Sequence, residues 1–248
     1  MPYQKQPLSP KMRNYLRKVL PGVLYLRYFG RHEKMSLRVW QSLAAAVPKN
    51  TVVLDIGAFH GEFAVAARNV NESCEIYAFE PNPDSLEVLR PVAQNKRFKI
   101  VETAVSDKNE TVYFYCNRQI SSIVRENSSE NSIEVQARTL DSWLQATRRT
   151  PSLMKIDVED AAAEVLRGAS KLLAEHRPLI ICEILDDQIG AAAKSVLPHD
   201  YSFYYINENK GLELKTEVRR ADWRYKNWLF IPHEKTFLLN RKLISKNG

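Results

Sequence analysis

Five short runs, each apolar enough to be buried on both faces, recur along the chain with helix-patterned segments between them: TVVLDIG (51–57), CEIYAFE (74–80), FKIVETAVS (98–106), SLMKIDV (152–158) and PLIICEIL (178–185). Strands of this kind belong to parallel sheets, because parallel neighbours need crossover connections that lie over the sheet faces. The stretch after Gly61, residues 83–95 and residues 161–174 carry the helical spacing that such crossovers require. TVYFYC (111–116) and SIEVQAR (132–138) read as two shorter strands around a Ser/Asn-rich loop, and YSFYYIN (201–207) and NWLFIP (227–232) as two late ones. The expected class is α/β, with a mostly parallel sheet and helices on both faces.

A chain of 248 residues, 44% hydrophobic and 26% charged, suits one such domain with an extension. The extension is a basic N-terminal arm, residues 1–38, and the domain residues 39–248. The arm holds Lys5, Lys11, Arg13, Arg17, Lys18, Arg27, Arg31, Lys34 and Arg38 against Glu33 alone, a local net of +8, so the rest of the chain sums to about −1 within the formal net charge of +7. A nearly neutral body argues against nucleic acid as a partner. Met12, Leu16, Val19 and Leu20 give the arm an apolar stripe at helical spacing, ended by Pro21-Gly22. Such a helix either docks on the domain by that stripe or lies against an anionic membrane or glycolipid surface. No apolar run reaches the roughly 18 residues of a membrane span and no secretion signal is apparent, so a cytoplasmic protein is expected. Cys74, Cys116 and Cys182 lie far apart in apolar stretches and read as buried free thiols.

In an open parallel sheet, ligands bind outside the carboxyl ends of the strands. The first run ends Asp55-Ile56-Gly57-Ala58-Phe59-His60-Gly61, spaced D-x-G-x-x-x-G. Gly57 permits a tight turn with close ligand approach, and Gly61 lets a helix start near the strand, with Ala58 in the turn between them. The Asp55 carboxylate can organise this turn or accept a hydrogen bond from a ligand ammonium. The spacing departs from the G-x-G-x-x-G that sets a helix N-terminus against a pyrophosphate, so a single nucleoside is favoured over a dinucleotide. Glu80 ends the second run, where Pro81 stops the ladder, and an acid there can take both ribose hydroxyls of an adenosine ligand. Val105 and Ser106, at the end of the third run, offer a small apolar ledge with a polar end for adenine. In the fourth run Lys155, Asp157 and Glu159 alternate with Met154, Ile156 and Val158, which puts three charges on one face. On a covered strand these must be paired, wetted by a cavity or in contact with a polar ligand. Glu183, followed by Asp186 and Asp187, extends the expected acidic pocket.

VVLDIGAFHGEF, IYAFEPNPDSLEVL, VETAVSDKNETVYFY, VQARTLDSWL, LMKIDVEDAAAEVLRGASKLL and PLIICEI, in that order over about residues 51–185, resemble the successive blocks of the FkbM family of methyltransferases. NWLFIP resembles that family's last strand. The resemblance implies a seven-stranded, Rossmann-like class I methyltransferase sheet and S-adenosyl-L-methionine as cofactor. It implies O-methylation of a hydroxyl on a small-molecule or saccharide acceptor: a sugar, glycolipid, polysaccharide or secondary metabolite. Two departures stand out. The family's G-A-N-x-G loop has Phe59 in place of asparagine, and its K-I-D-V-E-G block ends in Asp160 in place of glycine.

Methyl transfer from a sulfonium is an in-line displacement, and an alcohol attacks well only as its proton leaves. Asp157 is the expected catalytic residue, holding or deprotonating the acceptor while it also touches the cofactor, with Glu159 helping. A magnesium ion held by Asp157, Glu183 and Asp186 or Asp187 is an alternative, and His60 another candidate base. A nicotinamide oxidoreductase would need the missing G-x-G-x-x-G, and a nucleic acid methyltransferase a missing N-P-P-Y-type tetrad. A non-catalytic binding module on the same fold stays open. Residues 117–131 and 208–226, the latter with Arg219, Arg220, Trp223, Arg224 and Tyr225, are candidate acceptor-covering segments.

Overall fold

The computed structural model describes residues 34–116, 121–124, 132–220 and 226–245. Helix α1 (Lys34–Ala46) is followed by β1 (Val52–Ile56), α2 (Glu62–Val70), β2 (Glu75–Phe79), α3 (Pro83–Lys96) and β3 (Lys99–Val101). Next come β4 (Ala104–Val105), β5 (Glu110–Cys116), β6 (Ser121–Val124), β7 (Ser132–Arg138) and α4 (Leu140–Thr147). Then β8 (Pro151–Ile156), α5 (Ala162–Arg167), α6 (Ser170–His176), β9 (Leu179–Glu183) and α7 (Asp187–Val196) lead to β10 (Tyr201–Asn207), β11 (Gly211–Lys215) and β12 (Asn227–Pro232).

The main sheet has the order β11-β10-β12-β9-β8-β1-β2-β3. Strands β1, β2, β3, β8 and β9 are parallel, whereas β12 runs antiparallel to both of its neighbours. Alternation along each strand sorts the core into two layers. Val53, Leu153, Ile181 and Leu229 pack with Trp40, Leu43 and Leu89 of α1 and α3. Leu54, Met154, Ile180 and Trp228 pack on the opposite face with Leu140, Leu166 and Leu172 of α4, α5 and α6. Each such side chain contributes about 1.5–3 kcal/mol by leaving water, which is why five-residue strands suffice. The free thiols of Cys74 and Cys182 are buried within these layers, as expected; the side chain of Cys116 lies outside the described residues.

The class I arrangement is therefore present with eight strands in the main sheet instead of seven. The addition is β11, which pairs antiparallel with β10 and lies within the 208–226 segment expected as a candidate acceptor cover. It is an edge strand buried at Leu212 and exposed at Leu214, too short for its alternation to stand out in the sequence.

The run 98–106 was expected to be one strand and is two. β3 ends at Val101, Thr103 donates through Oγ1 to the Gln136 carbonyl, and Ala104 and Val105 pair with Ala137 and Arg138. β3 lies at the sheet edge, and β7 supplies the backbone partners that the edge lacks. The result is a second sheet of order β4-β7-β5-β6.

The helix expected over 161–174 is also broken. Asp141 accepts the Lys171 and Leu172 N–H groups at 3.0 Å each, which starts α6 afresh. The Gly168 carbonyl accepts the Asp141 N–H. At its own N-terminus α1 is held by Glu208, which accepts the Ser36 N–H and hydroxyl at 2.9 and 2.7 Å and also the Met35 N–H. The basic arm up to residue 33, most of the 117–131 segment, and Trp223, Arg224 and Tyr225 lie outside the described residues. Among those described, no helix is long and apolar enough to cross a membrane.

A Cβ on Gly168 would stand 2.1 Å from the Ser106 carbonyl oxygen, so the junction between α5 and α6 packs against the chain leaving β4 through this glycine. Gly168→Ala should lower unfolding free energy by about 1–3 kcal/mol with an unchanged urea m value, whereas an unaltered midpoint would contradict this packing.

Candidate active site

The strand order reverses between β1 and β8, so a crevice opens outside their carboxyl ends. Asp55 of β1 lies opposite Lys155 of β8, and Glu183 of β9 opposite Asn227 of β12. Their parity places all four on the α1–α3 side of the sheet.

Lys155 has no solvent exposure, and its Nζ sits 2.9 Å from Asp157 Oδ2 and 4.8 Å from the centroid of the Phe63 ring. Asp157 is the open member of the pair, with 36% of its side chain exposed. Burial opposes its ionisation, but the charge and hydrogen bond of Lys155, a hydrogen bond from Glu183 and the charge of Lys226 together hold its carboxyl below the usual range. Glu183 shifts the other way, raised first by burial and then by the negative charge of Asp157. The two shifts run in opposite directions, favouring the ionised form of Asp157 and the protonated form of Glu183.

Asp55 is buried, and its Oδ2 accepts the Ala64 N–H at 2.9 Å. Of its two expected roles the structure thus shows the organising one, as an anchor for the first turn of α2. Burial pushes its carboxyl up to about 7 despite Lys155 and that N–H. Glu80 accepts the Phe59 N–H at 2.7 Å and the Asn82 N–H at 2.9 Å. It too is pushed up to about 7, by burial first. Pro81 and Ala58 flank this acid, and the Gly57 and Ala58 N–H groups both donate to the Phe79 carbonyl at 3.0 Å.

Gly57 adopts φ 75°, and a Cβ there would lie 1.8 Å from the Asp157 carbonyl oxygen. The positive φ fits the tight turn expected of this glycine, and the close passage of the chain leaving β8 is a further reason that no side chain fits here. Gly61 has φ 83° and packs against Leu89 and Phe98, which lets α2 and α3 close on the turn.

Three expected placements are corrected. Lys155 and Asp157 share a face, but β8 ends at Ile156, and Glu159 opens a 3-10 turn with φ 52° in place of a third alternating position. Glu159 is nevertheless close enough to Asp157 for that charge, after burial, to raise its carboxyl. Val105 and Ser106 do not end the third strand; they have crossed to the second sheet, where the Ser106 N–H donates to Arg138 and its carbonyl faces Gly168. Asp186 and Asp187 do not join the acidic pocket: the first caps α7 through the Ile189 N–H, and the second accepts the Arg220 N–H. Among the described residues no group of three potential ligands is arranged to hold a metal.

Two residues escaped the sequence. Asn227 is 3% exposed, and its Oδ1 has no hydrogen-bond partner among the described residues. Lys226 accepts the Ile184 N–H on its carbonyl and directs its charge toward Asp157 and Glu159. Their signal was NWLFIP itself, but only an antiparallel β12 brings its first residue to the carboxyl edge of the sheet.

The family model for the methyltransferase FkbM domain matches residues 55–236, from the acid of β1 to beyond β12. No curated protein sequence matches at a significant level. Among solved structures, the methyltransferase FkbM of Methylobacillus flagellatus KT is 16% identical with a TM-score of 0.52 over 89% of this chain, which spans 58% of that protein's length. A putative caffeoyl-CoA O-methyltransferase from Staphylococcus aureus is 11% identical with a TM-score of 0.48, covering 90% of this chain and 97% of its own. Aeropyrum pernix fibrillarin in complex with natively bound S-adenosyl-L-methionine is 13% identical with a TM-score of 0.44, covering 77% of this chain and 76% of its own.

The raised carboxyls fix a pH signature. Between the ordinary carboxylate range, 3.8 for aspartate and 4.5 for glutamate, and about 7, folded Asp55 and Glu80 hold protons that the unfolded chain has released. Stability must therefore fall as pH rises through that window. The ligand-free protein should melt at a lower temperature at about pH 8 than at about pH 5, and Asp55→Asn, which keeps the acceptor for Ala64, should flatten the slope. A melting temperature that climbs over this range would contradict the assignment.

Proposed function

This chain belongs to the FkbM family of methyltransferases, and on that footing we propose that it transfers a methyl group from S-adenosylmethionine to a hydroxyl oxygen of a sugar, glycolipid, polysaccharide or secondary metabolite. The observation that carries the proposal is the geometry of Asp157, a partly exposed carboxylate 2.9 Å from the fully buried Lys155 ammonium, which favours its ionised form. When bound, S-adenosylmethionine supplies an electrophilic methyl carbon on a positively charged sulfur.

The crevice fits such a ligand. With Glu183 favoured in its protonated form, Asp157 and Glu159 offset Lys155 and Lys226, and the part-ionised Asp55 and Glu80 tip the crevice toward a ligand of net positive charge. The Glu80 oxygens each accept one backbone N–H and keep a second lone pair for ribose hydroxyls.

At the other end, Asp157 accepts the hydrogen bond of the acceptor hydroxyl and turns a lone pair of that oxygen toward the methyl carbon. Its lowered pKa makes it a weak base, so it would take the hydroxyl proton late, as transfer replaces the methyl–sulfur bond by a C–O bond and leaves a neutral thioether. Glu183 fixes the orientation of Asp157 through the proton it donates. Asn227 Oδ1 offers a buried acceptor for a second donor group on the substrate, and Glu159 lines the rim.

Calorimetry with S-adenosylmethionine and S-adenosylhomocysteine tests the cofactor, and labelled methyl transfer onto a panel of hydroxylated saccharides and glycolipids tests the reaction. Glu80→Ala should weaken cofactor binding by about 10–100-fold, for two lost hydrogen bonds. Asp157→Asn should bind the cofactor within about fivefold of wild type but lose about 100-fold or more of methyl incorporation. Absence of binding by the wild type would refute the proposal, and undiminished transfer by Asp157→Asn would remove the role given to that carboxylate.

A further inference from the structure

Among the described residues, six other than glycine adopt positive φ. Arg97, Arg148 and Arg177 close helices α3, α4 and α6, where a left-handed residue is an ordinary stop. Asn50 is of a type that tolerates the conformation. The remaining two, Phe59 at φ 49° and Glu159 at φ 52°, stand on the two lips of the crevice, one just beyond β1 and the other just beyond β8. Strain of this kind persists where the surroundings enforce it and collects at ligand sites.

Phe59 combines that strain with exposure. Its side chain is 45% exposed in a loop whose neighbours Ala58, His60 and Gly61 are buried. Its N–H is fixed by Glu80, and one face of its ring stacks on His60 with centroids 3.6 Å apart and planes at 27°. The other face is not covered by His60, and the backbone of the residue is tied to the acid that the proposed function gives to the cofactor ribose. Glycine or asparagine at this position would adopt the same backbone at less cost, so the left-handed turn by itself does not call for an aromatic ring.

We propose that Phe59 reads the charge of the cofactor sulfur: the ring face turned away from His60 lies against the sulfonium of S-adenosylmethionine and distinguishes it from the neutral thioether left after transfer. This rests on the cofactor reading above. The negative face of an aromatic ring attracts a cation within about 6 Å. It also does so without offering a nucleophile, whereas a carboxylate in contact with the methylsulfonium would itself be a methyl acceptor. The carboxylates of the crevice set its sign at longer range; Phe59 supplies the contact. Once the methyl group has left, the sulfur is uncharged and this attraction is gone, which favours release of the product.

If Phe59 served only to cover His60, its loss would affect both ligands equally. Calorimetry at one pH and ionic strength separates the cases. Phe59→Leu keeps an apolar cover without the ring's quadrupole, Phe59→Asn installs a residue at home in the left-handed region, and Phe59→Trp keeps an aromatic face. The Leu and Asn variants should bind S-adenosylmethionine about tenfold more weakly, some 1.4 kcal/mol, and S-adenosylhomocysteine within about twofold of wild type. Phe59→Trp should retain the wild-type preference. Phe59→Asn should melt no lower than wild type, which shows that its loss of affinity is not a loss of fold. Equal weakening of both ligands, or unchanged affinity for S-adenosylmethionine in Phe59→Leu, overturns the inference while leaving the cofactor reading intact. A wild type that binds neither ligand overturns that reading itself.

Discussion

Lys155 sits on a central strand with none of its side chain exposed, and its ammonium is compensated by Asp157 at 2.9 Å and by the face of Phe63. A buried cation without such partners costs several kcal/mol, about 3–5 by the measured effect of breaking comparable pairs, so the position of Asp157 is dictated by the fold before any ligand arrives. That in turn favours the protonated form of Glu183, whose carboxyl is raised by burial and by the neighbouring Asp157 carboxylate. One ammonium thus sorts the two acids into an anion that faces the crevice and a neutral donor that holds it in place.

The same economy governs the other lip. Glu80 anchors the β1–α2 turn through the Phe59 N–H and the start of α3 through the Asn82 N–H. Asp55 anchors α2 through Ala64. Both acids are pushed up to about 7 by burial, so the ligand-free crevice is only partly ionised near neutrality. A cation entering it completes the ionisation, and the stability withheld from the free protein is returned in the complex. Strain at Phe59 and Glu159 follows the same logic, since both are held in left-handed conformations by neighbours whose positions the sheet determines.

Much of this was legible in the sequence, and the exceptions have physical causes. Parallel strands, Asp55 with its two glycines, Glu80 before Pro81, and charges alternating through SLMKIDV all reported real positions, because short buried strands leave periodicity little freedom. The reasons attached to single residues fared less well. Gly57 is required by the carbonyl of Asp157, a neighbour 100 residues away in the chain that no local pattern can announce. The departure of Ala104 and Val105 into a second sheet depends on β7, and the break at Gly168 on Asp141. Asn227 was invisible as a site residue because its place follows from strand direction, which an apolar run does not encode. Contacts between residues far apart in the chain decided each case, and propensity did not.

The central claim, that this crevice is an acidic site tuned for a cationic cofactor, is tested most directly by counting protons. Binding of S-adenosylmethionine measured calorimetrically at about pH 7 in buffers of different ionisation enthalpy gives the net proton change on association. Asp55 and Glu80, both raised to about 7 in the free protein, should ionise as the cation and the ribose hydroxyls arrive, so protons should be released. Binding with no proton change, or with proton uptake, would contradict the account.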